Sequence, residues 1–132
     1  MDTIEKNKIE MLKKKRWAVV GATNNESKYG YKIFKKLKEN DYLVNPINPK
    51  YDFIEDSSCY SSLKELPVKP DVVDVVVPPK LSKDVIEQAN KLDIEYLWFQ
   101  PGTVDAEGIE LAEDYGIKMV FHDCVLVALD NN

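Results

Sequence analysis

Hydrophobic and polar positions along this chain switch repeatedly between two periods. Short apolar runs closed by glycine, proline or asparagine read as strands: "RWAVVG", "YLVNPINP" interrupted by Pro46 and Pro49, "DVVDVVVPP", "IEYLWFQPG" and "IKMVF". Segments with apolar residues three and four apart lie between them and read as helices. Residues 3–15 place Ile4, Ile9 and Leu12 on one face, with Asp2 or Thr3 as the N-terminal cap. "YGYKIFKKLKEN" places Ile33, Phe34 and Leu37 together, and "LSKDVIEQANKLD" does so with Val85, Ile86, Ala89 and Leu92 behind a capping Ser82. "DAEGIELAEDYG" turns Ile109 and Leu111 inward and stops at Gly116, "SSLKELP" is a short helical turn, and "CVLVAL" closes the fold.

Five strands alternating with helices over short connections predict an open parallel sheet with helices on both faces, preceded by one N-terminal helix. The third strand is almost entirely β-branched, which suits burial on both sides. With 132 residues and no linker or repeat, positions 1–132 are expected to form a single α/β domain.

In such sheets ligands bind beyond the carboxyl ends of the strands. The loops there are "GATNNESKYG", "NPK" (Asn48, Pro49, Lys50), "VPPK" (Val77, Pro78, Pro79, Lys80) and "QPG" (Gln100, Pro101, Gly102). The first has the parts of a phosphate cradle. Gly21 lets the backbone leave its strand, Ala22 and Thr23 follow, and Ser27 and Lys28 add a hydroxyl and a cation before the helix opening near Gly30. The first N–H groups of that helix lack intrahelical acceptors and favour an anion. The rival reading is a polar turn that binds nothing. The glycine spacing departs from GxGxxG, and the second strand ends in "INPK" rather than an acid for a ribose diol. Lys50 suits a phosphorylated ribose, which favours a phosphorylated ADP group over NAD and leaves NADP open. Val77, Pro78 and Pro79 form a stiff apolar ledge, or no more than a strand stop.

A net charge of −5 argues against nucleic acid, and the basic run at 13–16 reads as a solvated helix end. No apolar run nears the roughly 20 residues of a membrane span, and the N-terminus lacks the order of a secretory signal, so a cytoplasmic location is expected. Cys59 and Cys124 are far apart and read as free thiols; with His122 as the one histidine, no metal site is expected.

Taken in order, "AVVGAT…SKYGYKI", "LVNPINPKY", "CYSSLKELP", "DVVDVVVPP", "LWFQPG" and "HDC" resemble the small free-standing CoA-binding proteins, which are similar to the N-terminal domain of the succinyl-CoA synthetase alpha subunit. The likeness runs from about Thr3 to about Leu126. It implies a Rossmann-like domain that binds coenzyme A. Gly21, Ala22, Thr23, Ser27, Lys28 and Gly30 would line the diphosphate. Asn48, Pro49 and Lys50 would meet the ribose-phosphate or adenine. Val77, Pro78 and Pro79 would wall the ligand, and Gln100, Pro101 and Gly102 would sit near the arm. The synthetases' phosphorylated histidine belongs to a second domain, and His122 does not match its position.

The resulting expectation is a CoA or acyl-CoA binding protein that is not an enzyme, working alone, as a homodimer or with a partner subunit. The alternative is an oxidoreductase using NADP or a flavin on the same fold. Ser57, Ser58, Ser61 and Ser62 have no placed histidine and read as a turn followed by a capped helix. Asp74, a charge among valines, is expected to pair with a lysine or to face a sheet end. Cys124 follows the fifth strand, where it could approach the CoA thiol or be a buried free cysteine.

Overall fold

The computed structural model describes residues 2–130. In chain order the elements are α1 (Thr3–Leu12), β1 (Arg16–Val20), α2 (Tyr29–Glu39), β2 (Leu43–Ile47), β3 (Phe53–Ile54), β4 (Ser57–Ser58), a 3-10 turn (Leu63–Glu65), β5 (Val72–Val75), α3 (Pro79–Lys91), β6 (Tyr96–Phe99), α4 (Ala106–Asp114), β7 (Lys118–Val120) and α5 (Val125–Asp130). The main sheet has the order β2-β1-β5-β6-β7, parallel throughout, and β3 and β4 form a separate two-stranded hairpin. This is the expected Rossmann-like α/β architecture with its N-terminal helix.

The two sheet faces bury different cores. On one, α1, α2 and α5 enclose Met11, Trp17, Phe34, Leu37, Trp98 and Leu129; on the other, α3 and α4 cover Val73, Val75, Ile86, Ala89, Leu97 and Phe99. Trp17 and Trp98, both fully buried, pack with centroids 6.1 Å apart and ring planes tilted by 42°. Each such ring contributes roughly 2–3 kcal/mol by leaving water.

Local departures from the sequence reading have physical causes. The α1 helix ends at Leu12, and its buried positions are Asn7 and Met11, with Ile9 left exposed. Asp2 is its cap, accepting from Glu5 N–H at 2.8 Å. Pro46 does not interrupt β2. That strand lies at the sheet edge, and the Pro46 carbonyl faces outward to Tyr60 N–H at 3.0 Å, so its missing donor costs no ladder bond. Ser82 is not a cap: α3 begins at Pro79, where proline's absent N–H is harmless, and Ser82 sits inside the helix with its hydroxyl donating to Thr103 O. Ser57 and Ser58 form β4, and the Ser62 hydroxyl caps nothing.

Asp74 meets neither a lysine nor a sheet end. It is fully buried in β5, its Oδ1 accepts from Gln100 Nε2 at 2.7 Å, and its Oδ2 is unpartnered. Burial pushes its carboxyl up to about 8 from the ordinary 3.8, opposed by the Gln100 hydrogen bond. The folded state therefore holds this proton more tightly than the unfolded chain. Its stabilising contribution is complete below the ordinary value and is lost as pH rises through about 8. Replacing Asp74→Asn should leave the melting temperature near the parent's at pH 4 and raise it by several degrees at pH 8 to 9, about 1.4 kcal/mol per pH unit at most in the interval. Thermal melts of both proteins across that range check the difference.

Candidate functional site

The site is built where strand order reverses, between the carboxyl ends of β1 and β5. The β1 strand ends because Gly21 adopts φ +101, a conformation that L side chains rarely take. A Cβ there would meet Val76 O at 3.0 Å and Val77 Cγ1 at 3.1 Å, so the loop after β1 is pressed against the exit of β5. Nine residues on, α2 starts hard against the same bend: a Cβ on Gly30 would lie 2.1 Å from Gly21 O. The glycines of the first loop thus serve close backbone approach.

Short polar turns shape the rest of the loop. Thr23 Oγ1 accepts from Asn25 N–H at 3.1 Å, and Asn25 Oδ1 accepts from Ser27 N–H at 3.1 Å and from its hydroxyl at 2.7 Å. Lys28 occupies the cap position of α2 without a capping side-chain bond. Tyr31 and Lys32 N–H both turn to Lys28 O at 3.2 Å, and among the described residues Tyr29 and Gly30 N–H meet no acceptor. Two free donors, the positive end of an eleven-residue helix and the Lys28 ammonium form an anion-favouring corner.

The β3–β4 hairpin straps this corner. Asn24 bonds Phe53 O and Glu55 N–H, each at 3.0 Å, and Glu55 accepts from Tyr31 at 2.7 Å and Lys35 at 3.1 Å. The hairpin's approach holds Tyr51 OH 2.8 Å from Thr23 Oγ1.

Gly21 lines two cavities. One, of 380 Å³, lies between the end of β2 and α3 and includes Asn48, Pro49, Lys50, Ser62, Val77, Asp84 and Gln88. The other, of 460 Å³, lies at the start of α2 and includes Thr23, Asn25, Lys28, Gly30, Tyr51 and Val76. Among the residues anticipated from sequence, the structure brings Gly21, Asn48, Pro49, Lys50 and Val77 to the first, and Thr23, Lys28 and Gly30 to the second. Asn48 is occupied structurally, donating to Ala22 O at 2.8 Å and accepting from Lys50 N–H at 2.9 Å.

The remaining positions lie outside both linings. Ala22 is buried in the core, and the Ser27 hydroxyl is turned to Asn25. Pro78 and Pro79 start α3. Gln100 is buried, with its amide on Asp74 and its oxygen accepting from Val125 N–H at 3.1 Å; Pro101 and Gly102 are exposed beside it. Cys124 lines a groove between α1 and α5, apart from both cavities. Cys59 is half-buried, and burial pushes its thiol up.

Tyr51, Asn25, Leu81, Asp84, Val85 and Gln88 were missed by the sequence reading. The α3 members had a signal: 81, 84, 85 and 88 are helical neighbours once the helix is started at Pro79. Tyr51 had none, because the hairpin that delivers it has strands of two residues.

Fold and site together define an α/β domain with an anion-ready cleft at its switch point. Residues 15–130 match the family described as CoA binding domain, and the chain belongs to that family. It is 32% identical over 118 residues to the ADP-forming acetate–CoA ligase I of Archaeoglobus fulgidus, covering 82% of this chain and 17% of the ligase. It is 28% identical over 118 residues to the uncharacterized protein YneT of Bacillus subtilis, covering 89% of this chain and 87% of that protein. Among solved structures, a conserved hypothetical protein from Pyrococcus furiosus superposes with a TM-score of 0.83 at 40% identity, covering 86% of this chain and 98% of that one. The chain thus spans a small fraction of the ligase and most of the small proteins.

The packing of the first loop makes a mutational forecast. Gly30→Ala should cost at least about 3 kcal/mol in urea unfolding, since a backbone carbonyl occupies the added methyl's place. Gly102→Ala, at φ +83 with nothing within 4 Å, should cost only about 1–2 kcal/mol from its backbone conformation.

Proposed function

We propose that residues 1–132 act as one domain that holds coenzyme A or an acyl-CoA without performing chemistry on it. The observation that carries this reading is that Gly21, at the switch point, lines both cavities at once. A diphosphate placed on the free N–H groups of α2 and Lys28 would run past Gly21, whose lack of a side chain leaves room. The adenosine end then falls between β2 and α3, where Lys50 complements a ribose phosphate and Val77 walls the base.

In this reading Ala22 and Ser27 contribute backbone, because their side chains are turned elsewhere. Pro78 and Pro79 stiffen the exit of β5. Gln100, Pro101 and Gly102 meet the arm through their backbone, since the Gln100 amide is engaged inside. Polar side chains around the cleft mostly hold other parts of the chain in place, which suits binding rather than turnover. Free thiols at Cys59 and Cys124 fit a cytoplasmic setting, and any chemistry would come from a partner subunit. The oxidoreductase alternative gains no support from the matched family or from the relatives described above.

Calorimetric titration with CoA, acetyl-CoA, NADP and FMN side by side tests the proposal. CoA should bind, more weakly as salt rises, and Lys28→Ala or Lys50→Ala should reduce affinity several-fold, up to about tenfold, without altering the fold. Tight NADP binding with no CoA binding would reject it.

A further inference from the structure

The chain has a net charge of −5, yet α2 and its cap hold five lysines, Lys28, Lys32, Lys35, Lys36 and Lys38, against one acid, Glu39. On the opposite face of the sheet α4 and its cap carry the reverse: Asp105, Glu107, Glu110, Glu113 and Asp114, with no cation. Three of the α2 lysines are neutralised locally. Lys35 sits 3.1 Å from Glu55, Lys38 sits 3.3 Å from Asp56, and Lys36 pairs with Asp130. Lys28 and Lys32 have no carboxylate partner among the described residues. They are four residues apart, on one face of the helix, at the end where the dipole already places positive charge. Helix stability would favour an acid there, and the first turn has none. Lys32 is outside the lining of the cavity at the start of α2. Its ammonium lies 5.6 Å from the centre of the Tyr29 ring, and Tyr29, 63% exposed, lines that cavity. The ring keeps the cation beside the mouth without neutralising it, which a carboxylate would do.

We infer that Lys32 steers the anionic ligand to the cavity at the start of α2: it governs how fast coenzyme A arrives and not how firmly it is held. The inference rests on the coenzyme A reading and deepens it, by naming a residue that acts before contact is made. The ligand's phosphates carry about four negative charges near neutral pH, so a chain of net charge −5 repels it at long range. A local positive lobe reverses that force over the last stretch of the approach. Screening limits the lobe to about 8 Å at physiological salt, so only cations at the mouth count. Lys28, proposed above as a contact, and Lys32 beside it meet that condition. A charge at the rim of a site acts on association and its salt dependence, whereas a buried partner acts on dissociation.

Stopped-flow fluorescence with a CoA that carries a neutral dye on its thiol gives both rates. At an ionic strength of about 10 mM, Lys32→Gln should slow association about threefold to fivefold and Lys32→Glu about tenfold, with dissociation within about 1.5-fold of the parent. In about 1 M salt, where the Debye length is about 3 Å, the three proteins should associate alike. Lys13→Gln makes the same change in net charge at the far end of the sheet, where α1 stops before β1, and should leave association at the parent's rate. Thermal melts should show both Lys32 variants at least as stable as the parent, because each relieves positive charge at the start of α2. Unchanged association, dissociation that quickens as much as association slows, a Lys13→Gln effect equal to that of Lys32→Gln, or a loss that survives high salt overturns the inference while CoA binding itself stands. A parent protein that takes up no CoA in the calorimetric titration overturns both.

Discussion

One close contact organises the carboxyl edge: the carbonyl of Gly21 rests where a side chain on Gly30 would begin. It brings the first turn of α2 against the bend after β1, which is itself pressed on the exit of β5. Three backbones converge there, and neither glycine sets a side chain of its own between them. The free N–H groups of the helix, the end of the central strand and the exit toward β2 consequently share one small volume. The first loop's own hydroxyl and amide groups are largely occupied by one another, so this backbone approach, and not the loop's side chains, sets the geometry of the corner.

The edge is held by polar links whose first role is structural. Asn48 stitches the end of β2 to the first loop, and the β3–β4 hairpin is fastened to α2 by Glu55. On the far side, Asp74 and Gln100 join the central strand to the start of α5 through a buried pair. A buried acid with an unpartnered oxygen is an expensive way to make such a join, because a low-polarity interior penalises the ionised form. Gln100 offsets part of that cost, and its own remaining acceptor is used on Val125 N–H. The outcome is a scaffold whose polar side chains are mostly committed, with Lys28 and Lys50 standing apart around the cleft among the described residues.

The relatives divide by size. The chain spans between 16% and 26% of three acetate–CoA ligase chains it matches, yet 87% of YneT. Family membership covers residues 15–130, so α1 lies outside the matched region although it supplies Met11 to the core. Asn7 of that helix also reaches the carbonyl of Met119 at 3.0 Å, in the edge strand β7. The helix therefore satisfies one backbone carbonyl at a sheet edge.

Much of the fold was legible because its signals are local. The β-branched run of β5, the helical spacing of Ile33, Phe34 and Leu37, and the stop at Gly116 each report a nearby preference that packing did not override. The misreadings arose where a neighbour distant in sequence changed the local answer. Tyr60 lets β2 continue through Pro46, Thr103 draws the Ser82 hydroxyl into the interior, and Gln100 rather than a lysine meets Asp74. The sequence by itself determined the alternation of elements and the sheet edge that carries the loops, because periodicity and turn chemistry act over a few residues. Only the tertiary structure decided which of those loops share a cavity, which side chains were already occupied, and that α3 contributes an acid to the cleft. Those outcomes depend on strand order and on contacts between residues far apart in the chain, which no short-range pattern encodes.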